Sequence, residues 1–264
     1  MMDMWQPIML DTAQVEPCFG DQVAFIGDVH GYLQRLDYLL KHIDPSCHIV
    51  FLGDLIDRGP DSRQVVQRVR ELVAAGRASV IIGNHEYALV RGLGLPEAGI
   101  PGNEQLFRAW YERYGGDTTL NSYGLYADDH DLLPRLREAL GDDLDFLAGL
   151  PWYLWGSSQG RKWLAVHAGL DARSLREQLS ECAVSQRWLR QDLPRFLYAK
   201  DRQHSRAHDL EPQVCLVSGH TPQDHALVSE QRILADTSGG RQLRPLSAVL
   251  WPDGGVIASP AAQF

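Results

Sequence analysis

Five short apolar runs, rich in β-branched residues, punctuate the chain, and each breaks off at a turn that carries polar side chains. Gln22 to Ile26 (QVAFI) runs into GDVHG, His48 to Leu52 (HIVFL) into GDLIDRGPDS, and Ser79 to Ile82 (SVII) into GNHE. Later, Lys162 to Val166 (KWLAV) leads into HAGL and Val214 to Val217 (VCLV) into SGHTP. Unbroken apolar runs of this length, bounded by glycine turns, predict buried strands. Between them the period changes. Leu33, Leu36, Leu39, Leu40 and Ile43 share one helical face before Asp44, Pro45 and Ser46 stop it, and Val65, Val66, Val69, Leu72 and Val73 make a second stripe that Gly76 closes as a C-cap. Strand, glycine turn and helix in repetition predict an α/β protein.

Composition narrows this without redirecting it. At 264 residues, 44% hydrophobic and 22% charged, the chain is long enough for one large domain with a sizeable core. No apolar run approaches the roughly 20 residues that span a bilayer, and Met1 to Pro17 lacks the positive start and apolar core of a signal peptide, so no membrane contact and a cytoplasmic location are expected. Cys18, Cys47, Cys182 and Cys215 form no C-x-x-C pair and read as reduced, buried thiols. The net charge of −9, with no Lys/Arg run, disfavours long nucleic acid as a partner.

In open α/β sheets the carboxyl ends of the strands gather along one edge, so the polar residues after the five runs are expected to share one site. They are Asp28, His30, Asp54, Asp57, Arg58, Asn84, His85, His167 and His220. Carboxylate and amide oxygens mixed with imidazoles, and no thiolate, suit Mn, Fe or Zn in a reactive site, and six ligands exceed what one such ion takes while keeping an open position. Two ions roughly 3.5–4 Å apart, bridged by a carboxylate such as Asp54, would clamp a phosphoryl group and activate a water.

GDVHG, GDLIDRG, GNHE, VHAGL and SGHTP, in this order, resemble the signature blocks of the calcineurin-like metallophosphoesterases, specifically their phosphoprotein-phosphatase branch with its bacterial Ser/Thr phosphatase-like members. The likeness runs from Val23 to Trp251. It implies a four-layer αββα sandwich of two mixed β-sheets with helices outside. It also implies that Asp28 and His30 hold one metal, that Asp54 bridges, and that Asn84, His167 and His220 hold the other. His85 is the candidate acid for the leaving oxygen, Asp57 the carboxylate that orients it, and Arg58, with Asn84, the grip on phosphate. The family's W-x-R stretch, which carries its second arginine, maps to Trp188 and Arg190 in RWLRQD, with Arg187 and Arg195 as neighbouring alternatives for that arginine.

Other features have simpler readings. His42, His48, His130, His204, His208 and His225 lie outside the blocks and read as structural. The glycine-rich Arg91 to Gly102 lacks a G-K-[ST] ending and reads as a rim loop, and Asp128 to Asp131 as a solvated turn or helix start. Within one domain spanning residues 1–264, the long gap between His85 and His167 predicts an inserted helical cap over residues 92–150. There, Leu106, Phe107, Trp110, Tyr111 and Tyr114 fall at helical spacing, and Gly115 to Gly124 reads as a polar loop. Ser218, where bacterial relatives often have histidine, and extra residues between Asp236 and Gly254 are local departures that leave the ligands intact.

The expected function is hydrolysis of phosphate monoesters, phosphoserine or phosphothreonine or small phosphoesters, by a hydroxide bridging two metal ions, most simply Mn, with Fe or Zn as alternatives. The runner-up is a symmetrical diadenosine-tetraphosphate hydrolase. That group tends to carry GNHD and GHW and usually lacks an acid at the position of Asp57. A catalytically silent metal-binding scaffold is the third reading, and retention of His85, Asp57 and Arg58 argues against it.

Overall fold

The computed structural model describes residues 21–180, 188, 193, 195–200 and 206–261. In chain order its strands are β1 (Val23–Ile26), β2 (His48–Phe51), β3 (Ala78–Val80), β4 (Tyr153–Ser158), β5 (Arg161–Val166), β6 (Cys215–Ser218), β7 (Leu227–Val228), β8 (Arg232–Leu234), β9 (Ser247–Trp251) and β10 (Val256–Ala258). They form two mixed sheets, ordered β10-β9-β1-β2-β3 and β4-β5-β6-β8-β7. In the first, β1, β2 and β3 are parallel and β9 returns antiparallel to β1; in the second, β5, β6 and β8 are parallel and β4 and β7 are antiparallel edges.

Alternation along β1 explains the layering. Val23 and Phe25 join Val50, Leu52, Trp163, Ala165, Cys215 and Val217 in a core between the sheets. Ala24 and Ile26 join the larger core outside, with Leu36, Leu39, Val65, Val66 and Val69. These come from α1 (Leu33–His42) and α2 (Ser62–Ala74), the two predicted stripes. The ring of Phe25 meets Trp163 edge-on at 5.1 Å, and full burial of each such side chain contributes about 1.5–3 kcal/mol. Four layers result, as the block pattern implies.

Boundaries shift where hydrogen bonding demands it. The third strand ends at Val80 rather than Ile82, because the Ile82 amide already donates to Pro151 O (2.9 Å). Ala75, not Gly76, caps α2; Gly76 follows at φ +69, and Arg77 N donates to Leu72 O as in a Schellman closure. GNHE opens α3 (Asn84–Leu93), and α4 (Glu104–Arg113) packs along it with Trp110 fully buried. The stretch read as a polar loop is instead α5 (Gly116–Ser122), because Thr119 and Leu120 turn inward and give it a buried face. Next come α6 (Leu132–Leu140), whose N-cap is Asp131, and α7 (Asp142–Gly149); after β5 comes α8 (Leu175–Ser180).

Candidate metal centre

The loops after β1, β2, β5 and β6 and the first turn of α3 converge at one edge of the sandwich. His30, Asp54, Asp57, Arg58 and His220 all have positive φ, between +50 and +73. Left-handed non-glycine residues are uncommon, and five in one site mark a backbone bent to aim side chains inward. Gly83 is needed for close approach: a Cβ there would lie 2.1 Å from Asp54 Oδ1.

Two donor groups share Asp54. His30, Asp54 and His85 offer ligand atoms within 4.8 Å of one another, as do Asp54, His167 and His220. His30 Nε2 is 3.9 Å from Asp28 Oδ2 and 3.8 Å from Asp54 Oδ2; His167 Nε2 is 3.4 Å from Asp54 Oδ2 and 3.0 Å from Asn84 Oδ1. The His220 amide donates to Asp28 Oδ1 at 2.9 Å. Donation from Nδ1 fixes the imidazoles from behind: His30 to Ile56 O (3.0 Å) and His167 to Leu52 O (2.7 Å), which turns both Nε2 atoms into the site.

The electrostatics fit cations. Burial, then the Asp236 and Asp54 charges, push Asp28 well above the usual carboxylate range. Against the upward push of burial, His167 and His85 hold Asp54 well below it. His167 rises to about 10 despite burial, chiefly through Asp54, whereas burial and His167 bring His220 down to about 4. Carboxylates buried this close together, with His167 raised beside them, form a cluster whose charge bound cations would neutralise.

Beside this cluster, His85 Nδ1 donates to Asp57 Oδ2 at 2.7 Å. Arg58 spreads its guanidinium across the site, with Nη1 donating to His30 Nε2 (3.0 Å) and Gly239 O (2.7 Å) and Nη2 to His85 Nε2 (3.1 Å). All the residues after the five runs are therefore brought together. Arg190 lies outside the described residues; Trp188 is buried, with its ring stacked on Tyr87 at 5.5 Å.

Several site residues escaped the sequence reading. The Glu86 carboxylate accepts from the amides of Asp54 (2.9 Å), Leu55 (2.7 Å), Ile56 (3.3 Å) and Gly83 (2.9 Å), clamping the Asp54 loop to α3; its place at N3 of GNHE was the available signal. Burial and the Asp54 charge push it up to about 7 against those amides. Asp236 caps the turn that presents Gly239 O to Arg58, accepting from Gly239 N at 2.7 Å. Tyr114 lays its ring 4.8 Å from that of His85.

Comparison with known proteins agrees with the geometry. A symmetrical bis(5'-nucleosyl)-tetraphosphatase from Ralstonia nicotianae is 40% identical over 65 residues, covering 25% of this chain and 23% of the relative. The asymmetrical bis(5'-nucleosyl)-tetraphosphatase PrpE of Oceanobacillus iheyensis is 34% identical over 113 residues, 39% of this chain and 40% of the relative. The chain thus spans less than half the length of these curated relatives. Among solved structures, a Saccharomyces cerevisiae protein serine/threonine phosphatase similar to human PP5 superposes with a TM-score of 0.57 at 14% identity, covering 92% of this chain and 81% of that one. A protein provisionally described as a diadenosine tetraphosphatase gives 0.54 at 20% identity over 94% and 97%; at these identities the likeness shows the fold. Residues 22–246 match the calcineurin-like phosphoesterase family, and with that span the chain belongs to it.

Proposed function

We propose that this chain is a dinuclear-metal phosphoesterase acting on phosphate monoesters, phosphoserine or phosphothreonine or small phosphoesters. The observation that carries the reading is Asp54 shared between two donor groups, His30–Asp54–His85 and Asp54–His167–His220, with Asp57 behind His85 and Arg58 across the site. Membership of the family implies divalent cations. Asp28, His30, Asp54, Asn84, His167 and His220 would hold two of them, Mn first and Fe or Zn as alternatives, supplying Lewis acidity and an activated water.

The remaining roles belong to side chains. Arg58 would shift its planar fork from His30 and His85 onto the phosphate oxygens, with Asn84 beside it, and Arg190 is the proposed second arginine. His85, freed at Nε2 and fixed at Nδ1 by Asp57, would hold the proton for the leaving oxygen. Residues 92–150 are read as the inserted cap of a single domain, with Tyr114 forming the wall over His85. Among the described residues no helix is long and apolar enough to cross a membrane. A cytoplasmic location is part of the proposal, supported by the unpaired, buried Cys47 and Cys215.

The names of the curated relatives favour a second reading, hydrolysis of dinucleoside tetraphosphates. Retention of the Asp57–His85 pair favours the monoesters. The test compares kcat/KM of Mn-loaded protein on a phosphoserine or phosphothreonine peptide, p-nitrophenyl phosphate and diadenosine tetraphosphate. Faster turnover of the monoesters is expected; preference for the dinucleotide, yielding two ADP, would install the second reading.

A further inference from the structure

We propose that Trp110 and Thr119 are positioning residues that lock the Asp57 carboxylate so that it presents one fixed edge to His85. The inference rests on reading His85 as the leaving-group acid. Asp57 is completely buried, and both of its oxygens are hydrogen-bonded. Oδ2 accepts from His85 Nδ1 (2.7 Å) and from the Trp110 indole Nε1 (2.8 Å), while Oδ1 accepts from the Thr119 hydroxyl (2.6 Å). The Asp57 amide donates to the hydroxyls of Thr119 and Ser62, both at 3.0 Å. The torsion about an aspartate carboxylate is broad and roughly two-fold, so a carboxylate tied only to an imidazole swings with it. Donors on both oxygens remove that freedom.

Trp110 is itself immobilised. It has no exposed surface, Phe107 packs on it at 5.3 Å, and a Cβ on Gly116 would lie 2.6 Å from the indole. Both anchors come from the helical segment after α3, 53 and 62 positions along the chain from Asp57. One turn beyond Trp110, Tyr114 lies against His85, whose ring also meets that of His30 at 4.6 Å. The burial of Trp110 excludes it as a stacking platform for substrate. The segment's chemical contribution is to hold the acid's partner still.

The test uses Mn-loaded full-length protein. Trp110→Phe keeps an aromatic ring and deletes the donor, Thr119→Val deletes the hydroxyl, and Thr119→Ser retains it. Trp110→Phe and Thr119→Val are expected to lower kcat on phenyl phosphate about tenfold or more, the usual loss when a hydrogen-bonded supporting residue is removed. The loss should be smaller on p-nitrophenyl phosphate, with KM unchanged and Thr119→Ser near wild type. Trp110→Phe added to His85→Asn should lower the rate no further, since the anchor acts through that imidazole. In ¹H–¹⁵N spectra of the protein loaded with diamagnetic Zn in place of Mn, the low-field His85 Nδ1 proton should shift in Trp110→Phe. Equal losses on both esters, additive losses in the double variant, or an unmoved Nδ1 proton would overturn the proposal. A wild-type protein that turns over neither ester would overturn the reading of His85 as the acid, and the proton spectrum alone would then decide the anchoring.

Discussion

At the scale of single residues, the site is held in a backbone that the residues themselves do not favour. Left-handed non-glycine positions cost on the order of 1–3 kcal/mol each and persist only where surroundings over-determine them. For Asp54, at φ +52, the determinant is Glu86, whose carboxylate takes four amides at once. Glu86→Gln keeps the shape but turns an amide donor toward some of those N–H groups. The variant is expected to lose about 1–3 kcal/mol of stability through unmet buried donors. Mn affinity should fall about 10–100-fold, as when a ligand's support is lost. Denaturant titration and calorimetric Mn titration check both, and unchanged Mn affinity would show that the clamp is irrelevant to the site. Ligand-type residues such as Asp28, His30 and His220 were legible in the sequence because they follow apolar runs. Asp236 and Thr119 were not, because their partners are a backbone amide and a distant carboxylate that no local pattern reveals, and the N3 place of Glu86 in GNHE signals a cap on its own helix but not the clamp on the Asp54 loop.

At the scale of elements, β2 is tied to the edge strand β3 at its start by His48, whose Nε2 meets Ser79 Oγ at 2.9 Å. Burial lowers the pKa of His48 from the ordinary 6.5 to about 4. The unfolded chain therefore binds this proton first, so the contribution of neutral His48 is complete above about pH 6.5 and lost as pH falls toward 4. His48→Gln should flatten that dependence: its deficit relative to wild type in denaturant midpoint, measured from pH 7 down to pH 5, should shrink, and parallel curves would contradict the assignment. The strands flanking the site were legible because both faces are buried and the runs are unbroken. The β4–β5 hairpin was not. Its two-residue turn, Gln159–Gly160, has both residues left-handed, but lacks the Asn-Gly or Asp-Gly that signals this geometry. The strands β7, β8 and β10 are two or three residues long and defined by pairing alone, which periodicity cannot register.

At the scale of the whole molecule, the order of strands within each sheet was invisible to periodicity, and the block pattern supplied the layering only as an implication. What the fold achieves is to set the ends of β1 and β2 from one sheet beside those of β5 and β6 from the other, so that each sheet contributes donor side chains to one cluster. Metal binding should therefore tie the two sheets together and appear as global stability. The chain carries a net charge of −9, and the buried Asp28, Asp54 and Asp236 oppose one another in the absence of cations. A ligand bound only to the folded state adds about 2.7 kcal/mol at a concentration one hundred times its dissociation constant. Saturating Mn is thus expected to raise Tm by several degrees and chelation to reverse it. Asp54→Asn, which removes the ligand common to both donor groups, should abolish most of that rise and lower the Mn content found by metal analysis. If Asp54→Asn keeps the full Mn-dependent shift, the stabilising ion sits elsewhere and the shared-carboxylate centre is wrong.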